Sequence, residues 1–187
     1  MENGKERISK ELTLRLENLV KFCFYINRIA DRGLSLCEVR WKLLNFERLY
    51  HALVAHATPI LSDRIISYMS KRNVEANYPD TTGGTKDYSS PLEFFDFMLE
   101  EFNNFEDEIC NTIDFAAMEK DHATKKMLQN FLDTWTEYVA TMNNICDLAH
   151  AYAPNSEPFG LQLFDSEVEH CFTVSDISPA PLVLEGD

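Results

Sequence analysis

YSSPLEFFDFMLEEFNNFEDEI, residues 88–109, decides the fold. Phe95, Met98, Phe102, Phe105 and Ile109 recur at steps of three and four, and the series continues through Ile113 and Ala116. That spacing lays one apolar stripe along a helix. Its start is equally explicit. Ser90 is a capping residue, Pro91 takes the first helical position, and Glu93 completes a Ser-x-x-Glu box.

Downstream, a second stripe of Met127, Phe131, Trp135, Tyr138, Met142, Ile145 and Ala149 predicts a helix from Asp121 that ends at Pro154. Upstream there are two more helical patterns. One runs from Ile8 to Ala30 and closes at Gly33 as a left-handed stop. The other opens after Ser35 and runs from Glu38 to Met69. Pro59 lies inside it, removes an internal hydrogen bond and predicts a bend near Ala55. Residues 71–89, with Pro79 and Gly83-Gly84, form a polar connection that is long for a link inside a compact bundle. Its length suits a crossover spanning a helix's full height, so that the second and third helices run parallel. A short helix from Ser166 to Phe172 and a mobile, Pro-containing tail complete the chain. The expected organisation is a tail over 1–7, an all-α four-helix bundle over 8–153, and a short helix with a tail over 154–187.

Composition narrows the function. The 187 residues suffice for one domain with a sizeable core. A formal net charge of -14 leaves no basic patch for nucleic acid and disfavours adsorption to anionic membranes. No run approaches the length of an apolar membrane span, and the amino terminus lacks the basic-then-apolar form of a signal peptide. Cys23, Cys37, Cys110, Cys146 and Cys171 stand singly, without a CxxC pair. Four of them sit in apolar helical surroundings, as buried free thiols do, and the expected setting is a reducing cytoplasm. Gly83-Gly84 has no following lysine or strand context for a phosphate cradle. Asp121 and His122 point different ways on a helix start, with no nucleophile beside them.

The candidate chemistry lies in FERLYHALVAHATPILSD, residues 46–63. His51 follows Glu47 by four residues, the spacing of an exposed helical pair. His56 has two readings: a metal ligand that needs carboxylates from neighbouring helices, or a structural histidine packed against Leu53 and Ile60. Glu100, Glu101, Glu106, Asp107 and Glu108 lie away from the apolar stripe of their helix and form a solvated acidic face.

Four segments carry a resemblance. YSSPLEFFDFMLEEFNNFEDEI is similar to the third helix of bacterial non-haem ferritins, and KDHATKKMLQNFLD, residues 120–133, to the opening of their fourth. The His56 neighbourhood resembles their second helix, and GLQLFDSEVE, residues 160–169, their short fifth helix. The resemblance spans Glu11 to Glu169 and is strongest from Tyr88 to Asp133. It implies a ferritin-like up-down-down-up bundle with a long crossover between helices two and three. It also implies homo-oligomeric assembly, commonly a shell of 24 subunits, with iron oxidised in the bundle and stored in the cavity.

Position by position, the oxidation centre is mostly gone. Where the family has Glu-x-x-His, this chain has Leu53 and His56; the third-helix glutamate falls at Phe102; a Glu-Gln pair becomes Thr134 and Trp135; two later glutamates fall at Glu137 and Tyr138. The first-helix glutamate aligns with Val20, or with Glu17 after a small shift. The resemblance therefore implies a cage subunit with a degenerate ferroxidase centre, no catalytic residue, and iron held through lumenal carboxylates. His56, Glu137 and Glu17 are the candidate iron contacts. Co-assembly with an active ferritin subunit would supply oxidised metal. The rival expectation is a binding module in which Phe95, Phe102, Phe105, Phe131, Trp135 and Tyr138 line an apolar pocket.

Overall fold

The structure, a computed structural model, describes residues 7–171. Residues 1–6 of the amino-terminal tail expected over 1–7, and the expected mobile tail from 172 onward, lie outside the described residues. Helix α1, Lys10–Leu36, begins under Ser9, whose hydroxyl accepts from the Leu12 N–H at 3.2 Å. It does not stop at Gly33. That residue stays helical and buried, and a Cβ there would lie 1.9 Å from Cζ of Phe94. Gly33 serves close packing, not termination. The helix instead widens into a π turn, Cys37–Trp41, and ends at Lys42, whose φ of 58° is left-handed.

The second rod consequently opens at Leu44, not Glu38. It comprises α2, Leu44–Tyr50, a π turn at His51–Ala55, and α3, Ala57–Lys71. Pro59 explains the break. It has no N–H to offer the Ala55 carbonyl one turn back. Asn27 of α1 supplies the missing donor, its Nδ2 lying 2.8 Å from that oxygen. The wider turn is closed by the His56 N–H, which donates to the His51 carbonyl at 3.2 Å. The bend expected near Ala55 is therefore a π turn with a donor borrowed from the next helix.

Helix α4, Pro91–Met118, starts as its sequence predicts: the Ser90 hydroxyl accepts from the Glu93 N–H at 3.2 Å. The Glu93 carboxylate closes the box on the N–H of Ser89, at 2.7 Å, one residue before the cap. Helix α5, His122–Tyr152, is capped by Asp121, which accepts from the Thr124 N–H at 3.1 Å. The last helix, α6, Pro158–Cys171, starts eight residues before the expected Ser166. Its buried Asp165 accepts from the backbone N–H groups of Asn45 at 3.2 Å and Phe46 at 2.9 Å. Helix α2 lacks a side-chain cap of its own, so α6 caps it from across the fold.

Side-chain pairs fix the directions. Against α1, α4 sets Phe94 beside Gly33, Phe105 on Phe22 and Phe115 under Arg15, so the two are antiparallel. Asn27 with Ala55, and the Arg7 N–H with the Arg72 carbonyl, make the second rod antiparallel to α1 as well. Helix α5 opposes α4 through Asp96 with His150 and Glu106 with Thr136. The order is up-down-down-up. The connection from 72 to 90 climbs α1, with Asn77 on Glu17, Thr81 on Arg28 and the Lys86 carbonyl on Arg32. From Glu17 to Arg32 the helix rises about 22 Å, the height the crossover has to span.

The stripes read from sequence form the core. Phe95, Met98, Phe102, Phe105, Ile109, Ile113 and Ala116 are all buried on α4. On α5 the same holds from Phe131 to Ala149, with Met127 partly buried. Cys23, Cys37 and Cys146 are buried free thiols, whereas Cys110 and Cys171 are exposed. Cys110 differs from expectation because it stands on the polar side of α4, among Glu106, Asp107 and Asp114. Among the described residues no helix is long and apolar enough to cross a membrane.

Candidate metal centre

Five of the positions that would carry a paired iron centre lie in the bundle core, where hydrocarbon and aromatic groups occupy them, while His56 and Glu137 lie at the surface. Phe102, Leu53, Val20, Trp135 and Tyr138 are all buried, none more than 4 % exposed. The Trp135 ring lies 4.9 Å from that of Phe102, 4.7 Å from that of Phe105, edge-on, and 5.5 Å from that of Tyr138, stacked. Phe22 of α1 stacks on Phe105 at 4.9 Å, and Phe131 meets it edge-on at 6.0 Å. Such rings contribute beyond the area they bury. The one polar group of the indole is satisfied internally, its Nε1–H donating to the Phe102 carbonyl at 3.0 Å. Burial holds the Tyr138 hydroxyl proton far above the ordinary phenol range, so no anion is available there at neutral pH.

A di-iron site does not fit this interior. Two close cations need several carboxylate and imidazole donors projecting inward from facing helices. Here the inward positions offer phenyl, indole, isobutyl and isopropyl groups. Among the described residues no group of three or more His, Cys, Asp or Glu side chains is arranged to hold a metal ion.

The three candidate contacts have different surroundings. Glu17 is buried, and its carboxylate accepts from the backbone N–H and the Nδ2 of Asn77, each at 2.9 Å. It anchors the crossover to α1. Glu137 is exposed on α5. His56 is also exposed, and its ring faces that of His51 at a centroid distance of 4.5 Å. His51 makes the expected contact with Glu47, Nδ1 to Oε1 at 3.4 Å. Sequence reasoning missed the facing of the two histidines, because five residues along a regular α-helix turn side chains well apart; only the π turn brings them together. Pro59 was the available signal.

Of the aromatic residues of the rival reading, Phe102, Phe105, Phe131, Trp135 and Tyr138 pack on one another, whereas Phe95 packs against Phe46, Phe94 and Phe164. A surface groove of about 370 Å³ lies elsewhere, lined by Asn18, Leu19, Lys21, Phe22 and Tyr25 of α1, Thr82 of the crossover and Glu108 of α4. Of the aromatics named in that reading, none lines it.

The fold and its crossover define a ferritin-like four-helix bundle. Residues 44–150 match the family described as a ferritin-like domain, and the chain belongs to that family. Among solved structures, a humanized archaeal ferritin has a TM-score of 0.79 at 19 % identity, covering 89 % of this chain and 99 % of that one. An open-pore ferritin from the hyperthermophilic archaeon Archaeoglobus fulgidus has a TM-score of 0.79 at 18 % identity, covering 87 % and 97 %. A closed form of the same ferritin, engineered by mutagenesis, has 0.78 at 18 % identity, covering 87 % and 96 %. At these identities the TM-scores show a shared fold alone. No curated protein sequence matches significantly.

Proposed function

We propose that this chain is a ferritin-type cage subunit, close to the bacterial non-haem branch, that stores iron without oxidising it inside its own bundle. The observation that supports this most is a contrast. The frame runs with the archaeal ferritins over nearly their whole length, while Phe102 and Trp135 occupy the interior that a metal centre would need. Iron is the cargo, not a resident cofactor.

Exposed carboxylates give that cargo its contacts. Glu100, Asp107 and Glu108 lie on the outer side of α4, with Glu101 partly buried beside them. Partial burial, and then the charge of Glu100, push the Glu101 carboxyl up. Hydrated cations relieve such crowding. Glu137 on α5 is the candidate iron contact that this reading keeps. Glu17 is committed to Asn77. In a cytoplasmic shell, commonly of 24 subunits, ferric iron would come from spontaneous oxidation or from an active ferritin subunit in the same cage.

The test combines assembled mass with incubation in ferrous iron and air. A large shell that keeps a mineral supports storage, and unchanged uptake after Glu137→Ala removes that carboxylate from the role. A monomer or dimer that keeps no iron overturns the proposal. It would favour a binding module instead, for which the groove along Phe22 and Tyr25 is the place to look.

A further inference from the structure

The π turn at His51–Ala55 has a consequence on its outer surface. In an α-helix, residues five apart are separated by about 140° around the axis. Here the helix is widened, and the bond that closes the turn joins these two residues, from the His56 N–H to the His51 carbonyl. The imidazoles come to lie on the same side, with centroids 4.5 Å apart and planes inclined by 60°. Both rings are exposed.

The geometry points to His51 and His56 as a surface chelate for a borderline divalent ion of the Zn²⁺, Ni²⁺ or Cu²⁺ class. An ion bound to an imidazole nitrogen at about 2.0 Å sits about 3.2 Å from that ring's centroid. Two rings sharing one ion would then have centroids from about 4.5 Å apart at about 90° to about 5.2 Å at the tetrahedral angle, and the 4.5 Å found lies at the close end of that range. Imidazole nitrogens suit these ions better than they suit magnesium or calcium.

The surroundings prepare the pair further. Glu47 approaches Nδ1 of His51 at 3.4 Å without a hydrogen bond to it, which leaves Nε2 as the free face and sets a negative charge beside the pair. The His56 imidazole makes no hydrogen bond or ion pair among the described residues, so a metal displaces no protein partner from it. Two protein nitrogens leave the other coordination positions to water. This site is separate from the bundle interior and does not depend on the storage proposal.

The test uses iron-free protein titrated with Zn²⁺, and separately with Cu²⁺, by calorimetry. One ion per chain is expected at a site that either His51→Ala or His56→Ala weakens at least tenfold. His150→Ala and His122→Ala, on exposed histidines elsewhere, should leave it intact. In parallel, the imidazole resonances of both residues should shift together with one equivalent of Zn²⁺. All the substituted residues lie at the surface, and far-ultraviolet circular dichroism checks that each variant folds. Affinity unchanged in both histidine variants, or resonances that shift independently of one another, overturns the assignment.

Discussion

Putting a carboxylate back into the bundle should be costly. Phe102 is 1 % exposed, with Trp135 and Phe105 around it and its own carbonyl engaged by the indole. In Phe102→Glu, the loss of ring packing contributes about 2 kcal/mol. An ionised carboxylate without a partner adds about 3 kcal/mol or more. The sum, about 5 kcal/mol at pH 7, equals the whole stability of a marginal domain. The second part depends on pH. Burial raises the folded-state pKa of the new glutamic acid above its unfolded value, about 4.3. Below that unfolded value the acid is neutral in both states and the ionisation penalty vanishes; it grows as pH rises toward the folded-state pKa. Phe102→Leu serves as control, costing about 1.5 kcal/mol with no pH dependence of its own. The assay is denaturant unfolding followed by circular dichroism at fixed protein concentration, at pH 5 and pH 8. Glu within 1 kcal/mol of the parent at pH 8, or Glu and Leu variants with parallel pH profiles, would refute the reasoning.

Three further outcomes follow from individual contacts. Gly33→Ala should cost about 1 to 3 kcal/mol, because the new methyl meets the Phe94 ring; Phe94→Leu should relieve part of it, giving a non-additive pair in denaturant unfolding. Asn27→Ala strips the Ala55 carbonyl of its donor and should cost about 1 to 3 kcal/mol; with Pro59→Ala, which restores a backbone N–H, that penalty should shrink, and equal penalties in both backgrounds would contradict the account. Thiol titration with a disulfide reagent should find Cys110 and Cys171 reactive in the native protein, and Cys23, Cys37 and Cys146 only on unfolding. Burial pushes the Cys146 thiol up to about 12; partial desolvation, and then Glu106, Asp107 and Asp114, raise that of Cys110, so its native rate should keep climbing with pH above the ordinary thiol range. Five thiols reacting at one native rate would contradict this burial.

The bundle was legible because its signals are local. Stripes at steps of three and four, the Ser90 cap and the length of the crossover each follow from residues adjacent in sequence. Gly33 was misread for the opposite reason. A glycine can mark a left-handed stop or a close approach, and only Phe94, far along the chain, selects between them. Pro59 announced a disturbed helix, yet its remedy sits on Asn27 in another helix, and the widened turn moves every side chain on one side of it. That is why His56 could be aligned with a ligand position while its partner, His51, could not be foreseen. Glu17 illustrates a third limit. A carboxylate close to a family position is also a good anchor for a loop, and Asn77 holds it there.

The central claim is that packed aromatic side chains occupy the space of a paired metal centre. Crystals exposed to ferrous iron in air, with anomalous scattering recorded at the iron edge, test it most directly. The account predicts no iron between Phe102, Trp135, Leu53 and Val20, with any ordered ions at surface side chains. Two strong peaks about 3.5 to 4 Å apart inside one bundle would contradict it.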